Sequence, residues 1–415
     1  MNLKKYIKGR VKGRTSDTME KQTQNFEKDH ENKIIELYRG KIKPLTRIKI
    51  KRSVLITMAV ILIAVGVFTG IRLHVYRNYQ VLSSAENEDT QSASYNQLGD
   101  CLLKYGDDGA YLLSQSQKIV WNQTYEMSNP ASDVRGEYAV IYDRKGTSMY
   151  VLKKDKPIGP VETKFPILQA EVTEKGSVAA ILEDGEKTWI NYYASDGSVI
   201  AENQTRMENP GYPLDITVSP DGDIIMVSYL YIKEGQIFSR IVFYSFGAEG
   251  QNKVDNIIAD YTYENTMIPQ VIYVNEQTAV AFRDDGYTLF TSKGTIEKKA
   301  EESLQGEIIS TFYNDKYFGL ILKGEKEDKP YVLQLFDPSG RKKFSKAFGK
   351  EYQDISISGD MIIMCNSDDV MMYNLNGILK FDGTMEEGAV KNIFQVASKR
   401  YMVVSESGIN TIKLK

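Results

Sequence analysis

Two textures divide the chain. Residues Ser53 to Ile71 (SVLITMAVILIAVGVFTGI) form one unbroken apolar run without a charged side chain. From about Leu98 onward, short runs heavy in Val, Ile, Tyr and Phe alternate with clusters of Gly, Asp, Asn and Ser roughly every 8 to 12 residues. Examples are EYAVIYDRKG at 137–146, DIIMVSYLYI at 223–232, TAVAFRDDG at 278–286 and YVLQLFDPSG at 331–340. The first texture predicts a helix that is apolar on every side, which a buried soluble helix with a polar face would not be. The second predicts many β-strands joined by tight turns, with no sustained helical period.

The strand region repeats. An aromatic residue is followed four positions later by Gly at Tyr193–Gly197, Phe246–Gly250, Phe290–Gly294, Phe336–Gly340 and Tyr373–Gly377. The aromatic is expected to fill the space between packed sheets, and the Gly to take the positive-φ position of the turn that follows. Successive glycines lie 53, 44, 46 and 37 residues apart. Four strands of about six residues plus their turns need about 40 to 45 residues, so each repeat is one propeller blade. The long first interval predicts an extended hairpin around Lys233-Glu234-Gly235-Gln236. Carried backwards, the period places Gly-less turns near Lys154 and Gln117. Carried forwards, it leaves the last unit (392–415) with three strands. A ring that ends this way closes by borrowing a strand from the other terminus, expected from residues 88–100, because an open ring leaves sheet edges unpaired. The fold class is therefore all-β: a β-propeller of eight, alternatively seven, four-stranded blades, preceded by one transmembrane α-helix.

Charge gives this plan a direction. Residues 1–52 hold 16 Lys/Arg against 6 Asp/Glu, whereas the rest of the chain holds 36 against 49. The apolar run of nineteen residues would span about 28 Å as a helix, close to a bilayer core. Seven basic residues from Arg39 to Arg52 precede it, and Arg72 and Arg77 follow it. The positive-inside rule then puts the N-terminus in the cytoplasm and the C-terminal bulk outside the cell membrane. The long basic region and the Thr69-Gly70-Ile71-Arg72 ending favour an uncleaved anchor over a signal peptide. The expected divisions are a basic cytoplasmic tail (1–52), a transmembrane helix (53–72), a polar stalk (73–97) and an extracytoplasmic propeller (98–415). Residues 1–14 look disordered, and Asn25 to Tyr38 have the apolar spacing of a short helix. The tail is expected to meet anionic lipids of the bilayer; without a fold motif beside the charge, nucleic acid is not an expected partner.

Ser219-Pro220-Asp221-Gly222 resembles the turn of WD-like bacterial propellers, and Lys118-Ile119-Val120-Trp121 resembles a quinoprotein-like repeat. Over most of residues 45–415 the plan resembles an uncharacterised family of single-pass membrane-anchored β-propeller proteins of Gram-positive bacteria. That resemblance implies location and fold, and no activity. No set of residues matches the cofactor and calcium ligands of quinoprotein enzymes, so no cofactor is expected.

Side-chain chemistry narrows the function classes. The only histidines are His30, in the tail, and His74, beside the apolar run. The propeller therefore lacks the base of Ser-His-Asp or Cys-His catalysis and any His metal ligand, and no catalytic or metal residue is assigned. Cys101 and Cys365 each lie inside an apolar run and are expected as reduced core residues; the alternative is a disulfide between the first and penultimate blades. The acidic pairs Asp107-Asp108, Asp221 with Asp223, Asp284-Asp285 and Asp368-Asp369 sit beside Gly or Ser, where Asp bonds its own backbone in turns. The glycosylation sequons at Asn122 and Asn203 are at the frequency expected by chance.

Three functions remain. The leading one is a non-enzymatic scaffold that presents a propeller face to a protein or cell-wall partner. The second is a ligand or glycan sensor signalling through the tail, which requires a deep, polar, aromatic-lined central pocket. The third is a carboxylate-based glycan hydrolase or lyase, which requires two carboxylates facing each other near the ring axis, about 5 to 10 Å apart.

Overall fold

The computed structural model describes residues 52–86, 93–206, 210–292, 294–386 and 388–415. The basic tail, including the segment Asn25 to Tyr38, lies outside the described residues.

Residues Arg52–Leu73 form one α-helix of 22 residues. The side chains from Ile56 to Leu73 are exposed on all sides, and this stretch is long and apolar enough to cross a membrane. The one internal hydroxyl that breaks the apolar surface near its end, on Thr69, donates back to the Val65 carbonyl at 2.7 Å. That bond removes the cost of leaving it unpaired in a medium without water.

Residues Leu73–Lys415 are a separate compact unit. Their strands form eight antiparallel sheets of four. Seven blades are contiguous in sequence: residues 94–124, 130–162, 167–206, 212–264, 270–303, 308–348 and 354–384. The eighth combines residues 390–414 with the strand Tyr79–Glu86. The first strands of neighbouring blades lie against one another, so they line the ring axis and the fourth strands form the rim. The core is divided in the same way. Eight clusters of buried apolar side chains each join one blade to the next, such as Val140, Val151, Ile167 and Val178 between blades 2 and 3. A four-stranded sheet with two apolar faces cannot be stable alone, and stacking it between two like sheets in a ring covers both.

The aromatic–glycine repeat has a geometric meaning. Tyr193, Phe290, Phe336 and Tyr373 end the third strands of their blades, each at a β-bulge against the fourth strand. A turn follows, and Gly197, Gly294, Gly340 and Gly377 have φ of 85°, 76°, 82° and 73°. The turns expected near Gln117 and Lys154 exist: Gln117 N–H donates to Ser114 and Lys156 N–H to Lys153. Blade 4 departs from the repeat. Its bulge falls at Tyr244, two residues before Phe246, and the connection runs on to Ile257. Gly250 is not in the left-handed region; a Cβ there would collide with the Ser245 carbonyl oxygen. The extended hairpin is present as the ten-residue strands Ile224–Lys233 and Gln236–Ser245.

Ring closure corrects two expectations. The closing strand is Tyr79–Glu86, paired from Tyr79↔Leu414 to Glu86↔Gly408, and not a strand from 88–100. Ser94–Leu98 is the inner strand of blade 1. The segment 73–97 is therefore no stalk: its described residues include two strands of the ring. Its polar composition misleads because a rim strand has one face against its blade and one in solvent. Gln80, Ser83 and Ser84 are exposed there, while their backbone completes the sheet.

Candidate functional site

Along the axis, polar residues on each inner strand reach the next blade. Asn96 of blade 1 donates to Ser132 of blade 2 at 2.6 Å. Asp133 of blade 2 accepts from the Val172 N–H of blade 3 at 2.9 Å. Gln169 of blade 3 donates to Asp215 of blade 4 at 2.6 Å, and the other oxygen of Asp215 accepts from the Val271 N–H of blade 5 at 2.7 Å. Thr311 of blade 6 bonds Gln270 of blade 5. Ser358 of blade 7 accepts from the Gln395 N–H of blade 8 at 2.8 Å and donates to Gln97 of blade 1 at 3.1 Å. Inner strands of neighbouring blades splay and cannot pair as a continuous sheet. These side chains satisfy the backbone and polar groups left over, as buried groups require.

Three carboxyl groups fall in this lining. Asp133, Glu171 and Asp215 stand on the inner strands of blades 2, 3 and 4 (Pro130–Arg135, Ile167–Val172 and Tyr212–Val218). Burial pushes all three above the ordinary carboxyl range. For Glu171, which is 8% exposed, the charges of Asp133 and Asp215 push in the same direction. Asp133 is held down in part by its bond to Val172 and by Arg135. Asp215 is pushed up to about 6 by burial, against the bonds from Val271 and Gln169. The Tyr313 hydroxyl is raised by burial and by the same three carboxylates. Tyr313 nevertheless keeps 36% of its surface accessible, because it lines the cavity at the channel mouth.

One end of the channel opens into a cavity of about 650 Å³ on the face where the first strand of each blade turns into the second. Seven blades contribute to it, through Gln97, Arg135, Glu174, Pro220, Asn275, Tyr313 and Ile357 among others. Arg135 at its floor donates to the Tyr273 carbonyl at 3.3 Å. Glu174, Glu276 and Asp315 set an acidic rim. Asn275 and Asn314 accept from backbone N–H groups two residues on, which fixes the loops they begin.

The residues singled out from sequence lie elsewhere. The four acidic pairs occupy strand-to-strand turns of blades 1, 4, 5 and 7 and are not brought together. Asp285 pairs with the buried Arg283 at 2.8 Å, Asp369 pairs with Lys350 at 3.4 Å, and Asp107 and Asp108 line a groove of about 510 Å³ on blade 1. Cys101 and Cys365 are free thiols in different clusters, Cys101 between blades 1 and 2 and Cys365 between blades 7 and 8, so the disulfide alternative does not hold. Burial pushes the Cys365 thiol up to about 12, which leaves it unreactive at neutral pH. Among the described residues, no group of three His, Cys, Asp or Glu side chains is disposed to hold a metal ion. The axial carboxyls were missed by motif reading, but they carry a signal. Asp133, Glu171 and Asp215 are 38 and 44 residues apart, one blade period each, and each sits inside a strand run where a turn role is unavailable.

A closed ring of eight four-stranded blades around a polar channel defines the chain as an eight-bladed β-propeller. Residues 72–414 match the family of unknown function DUF5711, and the chain belongs to that family. No curated protein matches it. Among solved structures it is similar to Sqt1 of Saccharomyces cerevisiae, at 12% identity and TM-score 0.52, over 82% of this chain and 100% of that one. It is also similar to apo AztD of Citrobacter koseri, at 9% identity and TM-score 0.48, over 72% of this chain and 90% of that one. Hydrazine synthase of Kuenenia stuttgartiensis is 10% identical with TM-score 0.47, over 71% of this chain and 98% of that one. The likeness to Sqt1 bears on fold alone, and the two below 0.5 add nothing to it.

Proposed function

We propose that the protein is a non-enzymatic scaffold: an extracytoplasmic propeller, anchored by the helix Arg52–Leu73 with the basic tail in the cytoplasm, that docks a protein or cell-wall partner on the face bearing the channel mouth. The observation that carries this reading is the mouth itself. Loops from seven blades converge on one cavity, and each loop leaves a rigid inner strand. Such a face binds an extended partner without rearranging, which limits the ordering cost of association. The state of the axial carboxyls supports a binding role over a hydrolytic one. Both oxygens of Asp215 and one of Asp133 are engaged in holding inner strands together. The location rests on the apolar helix and on the surplus of Lys and Arg before it.

In-cell crosslinking of the intact membrane protein, followed by mass spectrometry, tests the proposal. One dominant macromolecular partner is expected, and the double variant E276K/D315K, which reverses charge at the rim, is expected to lose it. Crosslinks that survive this variant would overturn the mouth as the docking face. A second reading has its own support. Tyr273, Tyr313 and Arg135 line a cavity large enough for a small ligand, as a sensor would need. Deleting residues 1–38, which keeps the seven basic residues from Arg39 to Arg52 that orient the anchor, separates the two, since a scaffold keeps its activity and a sensor loses its output.

A further inference from the structure

Glu171 occupies an unusual place in the channel. Asp133, on the inner strand of one neighbouring blade, bonds the N–H of Val172, the residue next to Glu171 in the chain. Asp215, on the inner strand of the other neighbour, is bonded by Gln169, two residues before Glu171. Glu171 is thus flanked on both sides by carboxylates fixed in place by hydrogen bonds. The nearby Thr217 hydroxyl, two residues after Asp215, favours the ionised form of Glu171 and opposes burial and the two carboxylates as the least of the influences on it. Across the channel it faces Tyr313, and its nearby cation is Arg135, whose charge also acts on Asp133. One guanidinium cannot neutralise three carboxylates, and the enclosed channel screens them poorly.

We propose that the axial channel holds a proton on Glu171 and that this proton makes closure of the ring acid-favoured. When Glu171 is protonated, Arg135 faces two carboxylates that are already satisfied by backbone and amide donors. When Glu171 ionises, three like charges on three adjacent inner strands repel, and the cheapest relief is to part blades 2, 3 and 4 at the axis. The proposal is independent of what docks at the mouth.

The direction with pH follows from linkage. The folded state holds the Glu171 proton more tightly than the unfolded chain, in which the group has an ordinary carboxyl pKa near 4.5. Below that value both states are protonated and the stability is fully present. As pH rises through the window up to the folded value, the unfolded chain releases the proton and the folded one does not, so stability falls. Asp133 and Asp215 are raised too and act in the same sense, Asp215 over the interval up to about 6.

Urea unfolding of the full chain in detergent micelles tests this. Trp121 and Trp189, the chain's two tryptophans, lie in blades 1 and 3 and report by fluorescence. As pH rises above the ordinary carboxyl range, the wild-type folding equilibrium is expected to weaken by up to about tenfold per pH unit inside the window. Glu171→Gln, which mimics the protonated acid, is expected to flatten this dependence and to exceed the wild type in stability at the upper pH. Parallel curves for the two proteins would overturn the proposal. Infrared spectroscopy of the wild type gives a second readout that needs no variant. The carbonyl stretch of a buried protonated carboxylic acid is expected in the native protein above the ordinary carboxyl range and is expected to vanish on further alkalinisation. A native protein whose carboxyl groups all ionise in the ordinary range would equally overturn the proposal.

Discussion

Gly197, Gly340 and Gly377 do two jobs in one position. Each has a positive φ, and each presses on the preceding blade. A Cβ on Gly340 would stand 2.7 Å from the Leu289 Cδ1, one on Gly377 2.7 Å from the Phe344 ring, and one on Gly197 3.2 Å from a Val161 methyl. Gly294 shares the backbone conformation but opens onto empty space. The pair Gly294 and Gly340 therefore separates backbone strain from packing. Gly294→Ala is expected to cost about 1–2 kcal/mol, the left-handed penalty alone. Gly340→Ala is expected to cost about 1 kcal/mol or more beyond that, because Leu289 must leave its place in the core between blades 5 and 6. Urea midpoints of the two variants decide it, and equal losses would mean that the contact with the preceding blade carries no weight. Gly250 belongs to neither class, and only the coordinates reveal that its role is a close approach to Ser245. The periodic spacing exposed the turn glycines, but it could not distinguish a residue required for φ from one required for room.

At the scale of elements, the strand Tyr79–Glu86 matters most. It supplies the fourth strand of blade 8, and without it the edge of Gly408–Leu414 is bare. A chain starting at His74 is expected to unfold in one cooperative transition with the full-length propeller's midpoint. A chain starting at Ser92 is expected to unfold at markedly lower urea and to associate through the exposed edge. Sedimentation and the unfolding midpoint of the two fragments check this; equal behaviour would mean that the seam is dispensable. The extended hairpin of blade 4 was legible from a single long interval, because its two strands of ten residues, against six in blades such as 2 and 5, lengthen the spacing to the next turn. The closing strand was not, since its pairing is a backbone property and its eight residues, half of them polar, do not alternate as a half-buried strand would.

The whole ring is held by eight interfaces, and they are unequal. Among the described residues, the interface of blade 8 with blade 1 has six buried apolar residues (Tyr95, Leu102, Leu113, Met402, Val404 and Ile409), whereas the other seven clusters hold nine to thirteen each. Gln117 donating to the Ile409 carbonyl at 3.0 Å adds one polar tie there. Local opening starts where the least apolar area must be exposed. Hydrogen exchange read by mass spectrometry is expected to label Gly408–Leu414 and Cys101–Gly106 before Val178–Asp184 or Ile224–Lys233. Uniform exchange around the ring would contradict a seam at this interface. Acid-favoured closure acts on a different part of the ring, at blades 2 to 4, so the two effects separate by position.

The membrane-length helix, the all-β class and the blade period are legible in the spacing of apolar and turn residues, which short-range physics writes along the chain; that spacing left eight blades with seven as the alternative. The folded structure alone settles the count at eight, which strand closes the ring, that the conspicuous acidic pairs stay apart in turns of four blades, and that Asp133, Glu171 and Asp215 share one channel. Those are relations between residues about one blade apart. A residue's neighbours across a blade interface depend on how sheets stack about an axis, and no local pattern records that angle.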